Sequence, residues 1–489
     1  MYKIKYNEIM MKSIDFEKIL IFSWVCILIS INSSYTTALE LTNINTSSVF
    51  SKSSFIIFVN FIRFYSPFVI LPILIIIFLF NSSKKIDYFT SAFIIYFCWQ
   101  LFTFFFSNRI SDSYEIFSQV KTIGYNIFYS EFEESLFTNL NLIFSSLSIL
   151  IIIIIANNLN LKKFNKKIFL VTLGFVGLIA IYFTYHLIDE SIKNNAKFIY
   201  FSDTLAAGGK TFHQSNPRIT GVSRIILIFY FLTFFFLLKS RRKIIWYIIL
   251  IILMMLLYKM QTRGAFVGLL VLYICFFLFY SLDFKKKFKN LLVLIIIPIV
   301  IFEAYYFTKH NVKPNDLNNY QFNSLYEDNR LIGNESTSGR FNIWKNALFI
   351  INEKKIVLGY GPQADRFLFL SFRISNLSQN IDYDKHGNPF LYDNNASNAL
   401  IYAYFCGGVI GILLLLFIYL LIIVVVTNNI FKEKKFYFKY DLWTNFSNIL
   451  LIYLAIRSIF ENSFSVFGID YVFLILAYFE NRNFSKSTS

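Results

Sequence analysis

The chain has 489 residues, of which 56% are hydrophobic and 20% aromatic, with only 15% charged and a formal net charge of +17. That balance excludes a soluble globular domain and a disordered chain, and points to a polytopic membrane protein. The positive charge does not mark a nucleic-acid binder: about half of the basic residues fall in loops and tails where membrane topology and anionic headgroups account for them.

Apolar stretches long enough to cross a bilayer recur along the chain. They lie near 18–38, 57–80, 86–106, 136–156, 168–188, 221–239, 244–260, 264–282, 291–308, 398–427, 443–460 and 464–480. A bilayer is crossed by about 20 apolar residues in a helix, so roughly twelve spans are expected. The second stretch contains Arg63, Pro67 and Pro72. Proline is tolerated there only if neighbouring helices satisfy the carbonyls it frees. Basic clusters fall in alternate loops: Lys84-Lys85, Lys162 to Lys167, Lys239 to Lys243, Lys285-Lys286-Lys287 and Lys432 to Lys435. The positive-inside rule puts all five in the cytoplasm together with both termini, and leaves 309–395 outside. The first apolar stretch is followed by Asn32-Ser33-Ser34 and not by a small-residue cleavage pattern, so it is read as a retained span.

The expected fold is therefore all-α and integral to the membrane: a polytopic bundle of about twelve helices with one large extracytoplasmic loop. Residues 1–308 carry the first nine spans, 309–397 the loop, and 398–489 the last three spans and a cytoplasmic tail. Cys26, Cys98, Cys275 and Cys406 each fall within an apolar stretch, with no metal-ligand spacing, and read as packing residues.

The long loop shows signs of partial order. Thr337-Ser338 can cap a helix whose apolar face is Phe341, Trp344, Leu348 and Ile351. Such a helix lies on the membrane surface with Trp344 at headgroup level. Gly359-Tyr360-Gly361-Pro362 reads as the turn that stops it, and 371–395 as irregular loop.

Several arginines fall at the outer face. Arg263 precedes Gly264-Ala265 at the start of an apolar helix. A helix N-terminus presents unpaired N–H groups and a partial positive charge, and guanidinium binds phosphate oxygens in a two-pronged way. Taken alone, Arg263 also fits a snorkelling side chain that ends a hairpin. Arg340 opens the loop helix behind Gly339, a place that also suits a solvated loop arginine. Arg218 and Arg224 flank the start of another span, and Arg457 lies near the outer end of its own. Together these cations favour an anionic ligand.

Four segments resemble the O-antigen ligase and polymerase superfamily, membrane enzymes that join lipid-linked glycans outside the cytoplasm. They are Pro217-Arg218-Ile219-Thr220-Gly221; Thr262-Arg263-Gly264-Ala265, where the family typically has Ser-Arg-Gly-Ala; Gly339-Arg340 followed by Ile343-Trp344 and Gly359-Tyr360-Gly361; and Ser397-Asn398 followed by Gly408-Val409-Ile410-Gly411. The resemblance implies a bacterial inner-membrane enzyme that catalyses glycosyl transfer without metal or cofactor. The donor is a glycan on undecaprenyl diphosphate, the acceptor a glycan-lipid, and a further partner can set chain length. By position, Arg263 and Arg340 match the arginines that hold the diphosphate and stabilise it as it leaves. Arg218, Arg224, Trp344, Ser397, Asn398 and Arg457 are the accompanying substrate-binding candidates.

One departure matters. Ligases carry a histidine where this chain has Ser397, and a serine at its free pKa is a poor general base. His386 can take the catalytic role in its place, as can Asp393, and His386 also fits an exposed loop histidine with no role. The missing histidine favours a polymerase of repeat units over a ligase acting on lipid A core. A flippase or transporter ranks lower, because transporters place charges near the bilayer midplane.

Overall fold

The structure is a computed structural model. It describes residues 16–32, 54–80, 86–107, 109, 135–159, 161, 164–193, 219–260, 262–279, 284–310, 340–375, 396, 398–431, 442–460 and 468–487. Among them no strand occurs, and helices follow in this order: α1 (Phe16–Asn32), α2 (Ser54–Phe80), α3 (Tyr88–Phe106), α4 (Ser135–Asn158), α5 (Phe164–Lys193), α6 (Ile219–Lys239), α7 (Lys243–Met260), α8 (Arg263–Phe279), α9 (Phe284–His310), α10 (Arg340–Glu353), α11 (Ala364–Ser375), α12 (Ala399–Phe431), α13 (Leu442–Phe460) and α14 (Ile469–Ser487). Eight of these are long and apolar enough to cross a membrane, and 263–279 and 292–304 form shorter apolar helical segments. The chain is thus a polytopic helical membrane protein.

The chain forms two compact units. One holds 1–172, 342–422 and 458–476; the other holds 173–341, 423–457 and 477–489. In the first unit α1, α2 and α4 pack together. Pro67 and Pro72 lie inside α2, and a helical proline cannot donate to the carbonyl four residues back. A polar side chain from a neighbouring helix reaches this stretch: Asn141 Nδ2 donates to Phe64 O at 2.7 Å. Ser30 Oγ donates to Asn141 Oδ1 at 3.3 Å, and Trp24 Nε1 donates to Thr172 Oγ1 at 2.9 Å. Each of these buried polar groups thereby keeps a partner away from water.

The loop helix is present, and the face it turns to the protein is centred on residues outside the expected apolar set, with Ile351 of that set packed at its edge. Ala347 and Ile350 are the buried residues, and they pack with Ile356, Ala364, Phe367, Leu368, Phe369, Ala396, Tyr402, Phe405 and Cys406. Leu348 and Phe349 point outward. The spacing alone did not define the face, because α11 and the strap at 354–363 return over Ala347 and Ile350. The side chain of Phe341 and the Thr337-Ser338 cap lie outside the described residues. A second loop helix, α11, occupies 364–375 and so replaces irregular loop over 371–375.

α12 has 33 residues, roughly 50 Å at about 1.5 Å per residue, more than the ~30 Å hydrocarbon layer requires. It is kinked at Gly408, whose φ is 61° and ψ −149°. Before the kink its side chains are enclosed. Beyond it Leu413, Leu416, Phe417 and Leu420 are exposed, the pattern of a lipid-facing stripe.

In the second unit α6 and α7 form a tight hairpin, with α8 against α6 and α9 against α7. Phe236 and Trp246 stack across the hairpin with ring centroids 4.9 Å apart. Cys26, Cys275 and Cys406 are buried and unpaired, and Cys98 is exposed.

Candidate functional site

The centre of the second unit is a close approach of α8 to α6 and α13. A Cβ built on Gly268 would overlap the Leu227 side chain and lie 2.7 Å from Tyr453 Cε2. Glycine is what lets these helices approach so closely, as at small-residue seams in membranes. Tyr453 also meets the Phe231 ring edge-to-face at 5.5 Å. One helical turn from this seam, the three helices carry Gly264, Ser223-Arg224 and Arg457.

The contacts at that turn are explicit. The Thr262 hydroxyl donates to Ser223 Oγ at 2.7 Å, and both residues are buried. A Cβ on Gly264 would lie 3.9 Å from Arg457 Nε, so the guanidinium of Arg457 stands beside the first turn of α8. Arg224 folds back along α6 toward Gly221. Arg263 and Arg224 are half-buried, while Arg457 is buried at 8% exposure. Arg224, Arg263 and Arg457 are therefore carried at one level of three packed helices.

Thr262 caps α8 through its backbone, its carbonyl accepting from Ala265 N at 3.0 Å and Phe266 N at 3.3 Å. Its hydroxyl serves the link to α6 and does not cap the helix. The first N–H groups of α8 carry partial positive charge. An end of this kind, with Arg457 beside it and Arg224 and Arg263 carried at the same level, has the chemistry to attract a multiply charged anion.

Trp344 and Asn398 lie in the first unit. The Trp344 ring stacks on Phe460 with centroids 6.5 Å apart, and its indole N–H has no acceptor among the described residues. Asn398 caps α12: its Oδ1 accepts from Leu400 N at 2.8 Å and Ile401 N at 3.1 Å. Its Nδ2 donates to Ile459 O at 2.9 Å, tying the start of α12 to the end of α13. Arg340 is the first residue of α10, and its side chain is outside the description. Arg218, His386, Asp393 and Ser397 lie outside the described residues.

Sequence reasoning assigned nothing to Arg109, three residues past α3. The structure buries it to 4% exposure. Its guanidinium donates to Tyr360 O at 3.0 Å and also to Pro362 O, and it lies over the rings of Phe104 and Phe367. Burial pushes the Arg109 guanidinium down to about 10, and neighbouring acidic groups, Asp365 among them, pull it back up. It remains protonated at neutral pH. The usable signal was a lone cation just beyond a span on the side where basic residues are scarce.

Arg109 belongs to a junction that mends the break in α12. Tyr360 N donates to Phe405 O at 2.8 Å, Gly361 N to Cys406 O at 2.9 Å, and Val409 N to Val357 O at 3.2 Å. From α3, Trp99 Nε1 donates to Gly407 O and Thr103 Oγ1 to Cys406 O, each at 2.8 Å. The carbonyls of Phe405, Cys406 and Gly407, next to the kink, each accept a hydrogen bond in this network, as a water-poor environment demands. Gly359 and Gly361 have φ of 90° and 82°. A Cβ on Gly359 would come within 2.6 Å of Cys406 C.

Among the described residues no group of three or more His, Cys, Asp or Glu side chains is placed to hold a metal ion.

A membrane-embedded helical protein with arginines gathered at the head of α6, α8 and α13 defines the class. Residues 248–416 match the O-antigen ligase family, which places that stretch in the O-antigen ligase and polymerase superfamily. The match includes Arg263, Arg340, Asn398 and the Gly408 kink. No curated protein and no solved structure matches the chain.

Proposed function

We propose that this protein is a glycosyltransferase that polymerises undecaprenyl-diphosphate-linked oligosaccharide repeat units into O-antigen or capsular polysaccharide. The reaction takes place at the extracytoplasmic face of the bacterial inner membrane, with both termini cytoplasmic. The observation that carries the reading is the Thr262–Ser223 hydrogen bond. It sets Arg263 and Arg224 at the same level, beside the guanidinium of Arg457, within and next to a stretch that matches a family of lipid-linked glycan enzymes.

In the proposed reaction the acceptor hydroxyl attacks the anomeric carbon of the donor. The bond from that carbon to the diphosphate breaks, and the electron pair leaves on the diphosphate. Arg263, with Arg224 and Arg457 beside it and Arg340 from α10, stabilises the charge that develops there. The hydroxyl proton goes to a general base, for which His386 is the candidate. Arg218, Trp344, Ser397 and Asn398 are assigned to holding the carrier lipids and glycan. The reaction uses neither metal nor cofactor in this reading.

The family description favours a second reading, transfer of finished polymer to lipid A core. It lends no support to transport. Deletion followed by electrophoresis of the surface glycan separates the two enzymatic readings. Collapse of the ladder to a single repeat marks a polymerase. Loss of every capped species with lipid-linked polymer accumulating marks a ligase. An unchanged glycan profile overturns both.

A further inference from the structure

The strap at 354–363 joins the two loop helices and is laid into the break of α12. On the α12 side it is held by backbone bonds at Phe405, Cys406 and Val409, and Gln363 N donates to the Tyr402 hydroxyl at 3.2 Å. On the other side, the carbonyls of Tyr360 and Pro362 are taken by one side chain, the buried guanidinium of Arg109. Both bonds come from Nη1, whose two N–H groups meet the two carbonyls at once while the planar guanidinium lies over the Phe104 and Phe367 rings. Two residues past Gln363, the buried carboxylate of Asp365 accepts from Ala396 N at 2.9 Å. Asp365 attracts Arg109 electrostatically, and Ala396 lies two residues before Asn398.

The arrangement links four points in the first unit: the end of α3, the strap, the start of α11 and the start of α12. The strap carries Ile356 into the cluster that also buries Ala347 and Ile350 of α10, and Tyr404 donates to Ile356 O at 2.7 Å. Movement of the strap is therefore movement of α10, whose first residue is Arg340, and of the chain just before Asn398.

We propose that Arg109 is a positioning residue for glycan transfer, fixing the Tyr360–Pro362 strap so that α10 and the head of α12 are held for the reaction. This rests on the transferase reading. Arg109 touches protein carbonyls and aromatic rings, not the reacting atoms. Its effect falls on the geometry of the transfer step more than on donor capture. Misplacing α10, which begins at Arg340, lowers kcat more than it raises KM for the donor.

The test uses the full-length protein in lipid nanodiscs with a synthetic diphosphate-linked oligosaccharide as donor and acceptor. Wild type, Arg109→Gln and Arg109→Lys are compared by transfer kinetics and by hydrogen exchange of the segment 356–363. In Arg109→Gln, exchange of that segment rises about tenfold to a hundredfold, the factor set by a lost charged hydrogen bond. kcat falls about as far, while donor KM rises by much less. Arg109→Lys recovers part of both, and it carries the comparison if Arg109→Gln does not accumulate in the membrane. Unchanged exchange overturns the anchoring, and raised exchange with unchanged kcat overturns the positioning role. A folded wild type that transfers no glycan in this assay or to a core acceptor overturns the transferase reading instead.

Discussion

The hydroxyl of Thr262 donates to the hydroxyl of Ser223 across 2.7 Å, joining the N-terminus of α8 to the first turns of α6. Each of these residues is followed by an arginine. One short hydrogen bond therefore sets the level at which Arg224 and Arg263 stand. Both hydroxyls are buried, so the bond between them is made away from water.

Thr262→Val keeps the shape and deletes the link. Stability should fall by about 1–3 kcal/mol, because Ser223 loses an acceptor role in a buried place. Thermal unfolding of the detergent-solubilised protein measures it. A variant with wild-type stability and wild-type transfer removes the hydroxyl pair from the account of the site.

Arg263→Lys keeps the charge and loses the fork. If Arg263 grips a diphosphate, transfer should drop about tenfold to a hundredfold in the lysine variant. Arg263→Ala should lose more, with protein still present in the membrane. A normal polymer-length ladder in both variants refutes the clamp.

Gly268→Ala puts a methyl group into the Leu227 side chain and 2.7 Å from Tyr453 Cε2. Helix α8 must then move away from α6 and α13, at a cost of about 1–3 kcal/mol for overpacking. Transfer should fall with it, because the separation occurs one turn from Gly264 and Arg457. Unfolding temperature and activity that both stay at wild-type values contradict the seam.

Gly408→Ala meets two obstacles. The backbone at φ 61° and ψ −149° suits glycine, and holding another residue there costs about 1–3 kcal/mol. The added Cβ would also overlap the Val357 carbonyl oxygen and lie 2.6 Å from Val357 C. The strap should leave the kink, seen as new protease cleavage between 354 and 363. Cleavage at the wild-type rate tells against the junction.

The outward placement of 309–395 has its own test. A single cysteine at Asn380, in a background where exposed Cys98 is serine, should react with a membrane-impermeant thiol reagent without lysis of the inner membrane. Labelling only after lysis reverses the topology.

Periodic apolar runs made the helices readable. A span needs only length and composition, and both are local properties. The α10 helix was legible for the same reason, since its apolar residues recur at three and four. Which side of it is buried was not legible. Leu348 and Ala347 are neighbours in sequence, and the side that is covered depends on where Ile356 and Phe405 return. Arg263 was singled out because a cation ahead of Gly264 at a helix start has chemical meaning by itself. Arg109 stood out only as a lone cation beyond a span, and its role was hidden because its partners are the carbonyls of residues some 250 positions away.

By itself the sequence determined that the chain is helical, that it carries spans long and apolar enough for a bilayer, and that residues 248–416 match the O-antigen ligase family. Hydrophobic length and short motifs travel with the chain wherever it folds. Only the tertiary structure decided that Arg224, Arg263 and Arg457 belong to one level of packed helices, and that a strap from the loop repairs the broken helix at Gly408. Those facts depend on contacts between distant segments. Close approach at Gly268 and the hydrogen-bonding needs of buried backbone select them, and neither exists until the chain has folded.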